Sequence, residues 1–238
     1  AVPYLNSKYD YRFEAIPTTD IVTNPKEYLE PDTTTILVSF ARSGNSPESI
    51  ATYNLAEKIV KNINHVFITC NPNGEMAKLS KKNDNILLLL MPEKSNDKGF
   101  AMTSSFTNML LASLLVFDID SLEENKLKVE KLSKLGQGII DNSYESVEPL
   151  IHLNYERFVF LGSGSLKGIA KESGLKELEL TRGKTISHYE SVLGFRHGPK
   201  SIVNDNTLIF IYMSDDEYTR KYDMDMIKEL HGNPGNHK

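Results

Sequence analysis

An α/β fold of two tandem domains, each with a parallel sheet between layers of helices, is what this sequence predicts, and three observations carry the expectation. Short, nearly continuous apolar runs rich in β-branched and aromatic residues recur along the chain, as strands covered on both faces require. Segments of helical spacing separate them, the alternation that builds parallel sheets through right-handed crossovers. The chain of 238 residues can hold one large domain or two small ones, and the alternation breaks once, near residues 120–150, before it resumes.

The strands are expected at 34–40, 65–70, 85–91, 157–161 and 207–213. After the first, residues 47–61 place Ile50, Tyr53 and the stretch 56–60 on one side of a helix. Residues 74–82 predict a shorter helix, and 107–117 one that is apolar almost all round. From 121 to 144, charges are interleaved with Leu122, Leu127, Val129, Leu132, Leu135 and Ile139 at helical intervals, which predicts an amphipathic connecting helix. The expected division is therefore a first domain over 1–120, a connecting helix over 121–147 and a second domain over 148–238. The halves echo each other: "ILVSFARSGNS" at 36–46 and "FVFLGSGSLKG" at 158–168 are both apolar strands running into small and hydroxyl residues that open a helix.

Composition narrows the function classes. With 27 basic against 32 acidic residues and a net charge of −5, nothing calls for nucleic acid or an anionic membrane as partner. No apolar run approaches the roughly 20 residues that span a bilayer, and no basic, apolar leader opens the chain. The single cysteine, Cys70, has no thiol partner for a disulfide, which fits a reducing, cytoplasmic setting. His65, His152, His188, His231 and His237 show no metal-ligand spacing with neighbouring carboxylates, so no metal is expected.

The turn "ARSGNSPES" at 41–49 has two readings. As an ordinary helix start, Ser46 caps, Pro47 takes the first helical position and Glu48 favours the positive end of the dipole. That leaves Ser43, Gly44 and Arg42 without a task, and hydroxyls, converging backbone N–H groups and a guanidinium suit a phosphate. The spacing is neither a nucleotide P-loop nor a dinucleotide fingerprint. In the second half, Lys176, Glu179, His188, Glu190, Arg196, His197 and Lys200 crowd one span. Glu172, Lys176 and Glu179 share a helix face, as ordinary surface ion pairs also do. His197 lies in Arg-His-Gly-Pro, a turn whose backbone presents the ring and whose pKa class allows proton transfer near neutrality.

"SFARSGNSPES" resembles the phosphate loop of the sugar isomerase (SIS) domain, and "AMTSSFTNMLLASLL" at 101–115 resembles a later segment of the same domain. With "FLGSGSLKGIAKESGLKELELTRGKTISHYESVLGFRHGPKSIV" at 160–203, nearly the whole chain resembles a double-SIS protein of the tagatose-6-phosphate ketose/aldose isomerase family, also described as galactosamine-6-phosphate deaminase/isomerases. The resemblance implies two flavodoxin-like, three-layer α/β/α domains. It implies a cofactor-free isomerase or deaminase acting on a hexose or hexosamine 6-phosphate, and assembly as a homo-oligomer, a dimer or tetramer. Ser43 and Ser46 would then hold the phosphate with help from Arg42 and from Thr103 or Ser104. By likeness of "ESGLKELE" to the catalytic helix of a glucosamine-6-phosphate-forming relative, Glu179 would move the proton between C1 and C2, Lys176 would support it and His197 would open the ring. Glu177 and Glu190 remain open as alternative bases. The resemblance also leaves a second function in play, a sugar-phosphate-binding module of a regulator that turns nothing over. No Gly-Thr-Ser loop precedes Arg12 and the far end stops mid-domain, so it further implies a chain cut short at both ends, with activity impaired or absent on its own.

Overall fold

The computed structural model describes residues 1–232 and divides the chain into two compact units, Ala1–Leu122 and Glu123–Lys238. The first unit opens with three short helices, α1 (Val2–Lys8), α2 (Thr18–Thr23) and α3 (Pro25–Tyr28). Then strand and helix alternate: β1 (Thr35–Ala41), α4 (Pro47–Ile59), β2 (Ile63–Thr69), α5 (Glu75–Ser80), β3 (Ile86–Leu90) and α6 (Ser104–Val116). The three strands form a parallel sheet in the order β1-β2-β3, with Phe40 level with Ile68 and His65 level with Ile86.

Because β2 is flanked on both sides, its Phe67 and Ile68 are fully buried, as the apolar run at 65–70 anticipates. The outer strands differ. Ile36 and Phe40 of β1, and Leu87 and Leu90 of β3, are each about half exposed, so cover on both faces holds for the middle strand and not along its neighbours. Two apolar clusters hold the unit together. One joins Ala41, Tyr53, Phe67, Met76 and Ile86 across sheet and helices, and the other brings Ile21 of α2 and Leu29 against Ala56 and Val60.

The second unit contains most of α7 (Leu122–Asn142), then α8 (Tyr144–Ile151), β4 (Arg157–Gly162), α9 (Leu166–Thr181), β5 (Ile186–Glu190), two 3₁₀ turns at Gly194–Arg196 and Pro199–Ile202, β6 (Thr207–Tyr212) and α10 (Glu217–Gly232). Its sheet is also parallel, in the order β5-β4-β6. Val159 and Leu161 of the central strand are fully buried and pack with Val192, Phe195, Met226 and Leu230. The single connecting helix expected over 121–147 is two helices, interrupted at Ser143, whose hydroxyl makes no capping bond. On α7, Leu127, Leu132, Leu135 and Ile139 stay more than half exposed. Among the described residues, no single helix is long and apolar enough to cross a membrane.

Candidate active site

The serine turn sits at the carboxyl end of β1, where a parallel sheet delivers its loops. Gly44 adopts φ +64°, a conformation that favours glycine, and a Cβ there would lie 3.2 Å from Thr69 Oγ1. Ser43 Oγ accepts from the Asn45 N–H at 3.3 Å. Ser46 caps α4, its Oγ accepting from the Ser49 N–H at 3.4 Å and sharing a 2.7 Å hydrogen bond with the Ser49 hydroxyl. The turn is fastened from outside. Asn71 Nδ2 donates to the Ser43 carbonyl at 2.9 Å, and the Glu75 N–H donates to Asn45 Oδ1 at 2.8 Å. The two hydroxyls are thus held on one short loop at the start of a 13-residue helix.

Arg42 takes a different direction. Its Nη1 donates to Asn96 Oδ1 at 3.1 Å and to the Asp97 carbonyl at 2.9 Å, tying the end of β1 to the loop ahead of α6. Arg42, Glu93, Asn96, Asp97 and Lys98 line an open cavity of about 370 Å³. The carboxylate of Asp97 accepts from the Thr103, Ser104 and Ser105 N–H groups at 3.0, 3.1 and 2.8 Å, and from the Ser105 hydroxyl at 2.6 Å. Desolvation pushes the Asp97 pKa up, but these donors together outweigh it and hold the carboxyl far below its ordinary range. Thr103 and Ser104, both exposed, therefore give their backbone N–H groups to a carboxylate of their own chain. Asp97 lies six residues before Thr103, outside any capping spacing, which is why the sequence did not disclose it.

In the second unit, α9 gathers Lys176 between two carboxylates, 2.5 Å from Glu179 and 3.2 Å from Glu172. All three side chains are about four-fifths covered, with exposures of 18, 20 and 21% respectively. Partial burial lowers the Lys176 pKa, yet the hydrogen bonds to Glu179 and Glu172 raise it on balance. The two alternative bases are otherwise engaged: Glu177 accepts the Thr185 hydroxyl at 2.7 Å, and Glu190 accepts from Lys167 at 2.5 Å and from the Ser191 N–H at 2.7 Å. The Lys167 hydrogen bond, with that of Ser191, holds the Glu190 carboxyl below its ordinary range.

His197 is exposed at the end of the first 3₁₀ turn, its N–H donating to the Gly194 carbonyl at 3.0 Å, and Gly198 follows at φ +113°. Among the described residues, no hydrogen bond or ion pair joins His197 to Lys176 or Glu179. The second serine turn, Ser163–Ser165, is closed by a fully buried Asp223 from α10, which accepts the Ser163 hydroxyl at 2.6 Å and the Ser214 N–H at 2.9 Å.

Among the described residues, no three His, Cys, Asp or Glu side chains gather as a metal site needs. Cys70 is buried and contacts Ser95, whose hydroxyl lies 3.5 Å from its sulfur. His65 is buried against Tyr53 and Phe67 with Nε2 2.7 Å from Glu57, so it packs in the core. His237 lies outside the described residues.

The SIS domain family model matches residues 3–118, the stretch that holds the first parallel sheet and the serine-lined turn after its first strand. The chain is 45% identical over 217 residues to the D-galactosamine-6-phosphate deaminase AgaS of Shewanella sp. (strain ANA-3), covering 91% of this chain and 55% of the relative. It is 44% identical over 230 residues to the protein of the same name from Escherichia coli O157:H7, covering 96% of this chain and 59% of the relative. Among solved structures, tagatose-6-phosphate ketose/aldose isomerase from Escherichia coli superimposes with a TM-score of 0.93 at 43% identity, covering 98% of this chain and 63% of that one. The chain spans under two thirds of the length of these relatives.

Proposed function

We propose that this chain is the larger part of an aldose-ketose isomerase or deaminase acting on a hexose or hexosamine 6-phosphate, the tagatose or galactosamine 6-phosphate named for its relatives. The observation that carries the reading is the Glu172-Lys176-Glu179 cluster on α9. A largely covered ammonium between two carboxylates has the parts to move a proton and to stabilise the enediol or enolamine that forms between C1 and C2. A module that only binds sugar phosphate has little use for such a cluster. In this reading Ser43 and Ser46 hold the phosphate. Arg42, Thr103 and Ser104 help to bind it, Glu179 is the base, Lys176 supports it and His197 opens the ring.

We read the second unit as a second SIS domain, because it repeats the parallel sheet and the strand running into a serine-glycine turn and a helix. The exposed apolar face of α7 supports assembly as a homo-oligomer, and the lone buried Cys70 suits a reducing cytoplasm. The test is turnover of galactosamine 6-phosphate and tagatose 6-phosphate by this polypeptide and by a version extended to the relatives' length. Conversion of either sugar supports the reading. Binding without conversion by the extended chain overturns the enzyme in favour of the binding module.

A further inference from the structure

The two residues that bracket the His197 turn are both bound to one carboxylate. Arg196 Nε lies 2.6 Å from Glu229 Oε2, and Lys200 Nζ lies 2.5 Å from Glu229 Oε1, so each oxygen of a single α10 side chain engages one side of the turn. Between these anchors run His197, Gly198 and Pro199, with Gly198 at φ +113° and the Ser201 N–H closing on the Gly198 carbonyl at 3.0 Å. The turn is tied at its upstream end as well. Glu190, held by Lys167 from the first turn of α9, accepts from the Ser191 N–H, and the Ser191 hydroxyl accepts from the Gly194 N–H at 3.2 Å. Phe195, fully buried, pins the middle of the same segment into the core. An exposed histidine has many rotamers, but its backbone here has few.

We propose that Glu229 is a positioning residue for His197: by clamping Arg196 and Lys200 it fixes the backbone from which the imidazole is presented for ring opening. The inference rests on the ring-opening role assigned to His197 above and extends it to a residue on another element, 32 positions away in the sequence. The clamp acts through geometry, and small misplacements of a proton donor cost rate steeply.

The experiment uses Glu229→Gln, which keeps the side chain's shape and removes its charge, with Glu229→Asp as the conservative partner. Amide hydrogen exchange of the whole chain reports the clamp without reference to activity. In Glu229→Gln the N–H groups of His197 and Ser201 are expected to exchange about tenfold faster while those of Val159 and Leu161 in β4 are unchanged. Unchanged exchange at His197 and Ser201 overturns the clamp, whatever the enzyme does. Faster exchange at Val159 and Leu161 as well shows general loosening and also overturns it.

The second readout is kinetic, in the version extended to the relatives' length. For the cyclic sugar phosphate, kcat in Glu229→Gln is expected to fall about tenfold or more with KM within twofold. An analogue of the sugar phosphate without its 4- and 5-hydroxyls, which cannot close a ring, is expected to turn over at the wild-type rate. Glu229→Asp is expected to recover part of the loss. Equal loss on both substrates, or no loss on the cyclic one, overturns the positioning role. A wild type that converts neither substrate defeats the proposed function instead and leaves the exchange result standing.

Discussion

The Lys176 ammonium lies 2.5 Å from the Glu179 carboxylate, three residues on along α9, with both side chains largely covered. This separation places the proposed base beside a cation of its own helix. In Glu179→Gln, solvent-deuterium exchange at C2 of the sugar phosphate is expected to fall at least about 100-fold, while phosphate affinity changes less than about twofold. NMR of the recovered sugar and a binding isotherm measure the two quantities. Exchange that persists would move the role to another carboxylate.

Gly44 carries φ +64° and faces Thr69 Oγ1. Gly44→Ala is expected to destabilise the first unit by about 1–2 kcal/mol, because an L side chain in that conformation strains the backbone. The shift is read from denaturant unfolding. Inorganic phosphate is expected to perturb the amides of residues 43–46 in the parent and to do so more weakly in the variant.

Asp97 accepts three backbone N–H groups at the start of α6. Its carboxyl pKa is depressed on folding, so the contribution is present above the ordinary Asp value and is lost as pH falls toward the folded one. Asp97→Ala is expected to cost about 1–2 kcal/mol near neutral pH, by loss of the helix's N-terminal acceptor. The difference from the parent is expected to shrink below about pH 4, measured as unfolding free energy against pH.

His65 runs the opposite way in protonation and the same way in pH. Burial lowers its pKa and outweighs the raising effect of the Glu57 hydrogen bond, so the neutral ring is the folded form. The stability it contributes is full above about pH 6.5 and is lost as pH falls below it. Parent protein is expected to lose stability between pH 7 and pH 5, and His65→Gln, which cannot charge, to lose less over the same window. Equal slopes would refute the assignment.

The strands with long apolar runs were legible because a strand buried from both sides needs continuous hydrophobicity, as in 65–70 and 157–161. β5 was not, since Ile186–Glu190 reads Ile-Ser-His-Tyr-Glu, with polar groups that the sheet's edge tolerates. α10 also escaped notice. Its buried residues are Asp223, Met226 and Leu230, and the first of these is polar because it serves Ser163 and Ser214. The serine turn and the α9 charge cluster could be read as local spacings. The partnership of Asp97 with α6 and of Glu229 with the His197 turn could not, because each depends on which distant element the fold brings alongside.

Asp223 gives the echo between the two halves an arithmetic meaning. Two turns descend from similar strand ends, but the one beginning at Ser163 carries its resident acid within the chain, much as a lock holds a key cast with it. A calorimetric titration should therefore count a single phosphate per polypeptide, and similarity of the paired loops would mislead anyone who counted binding places by motif.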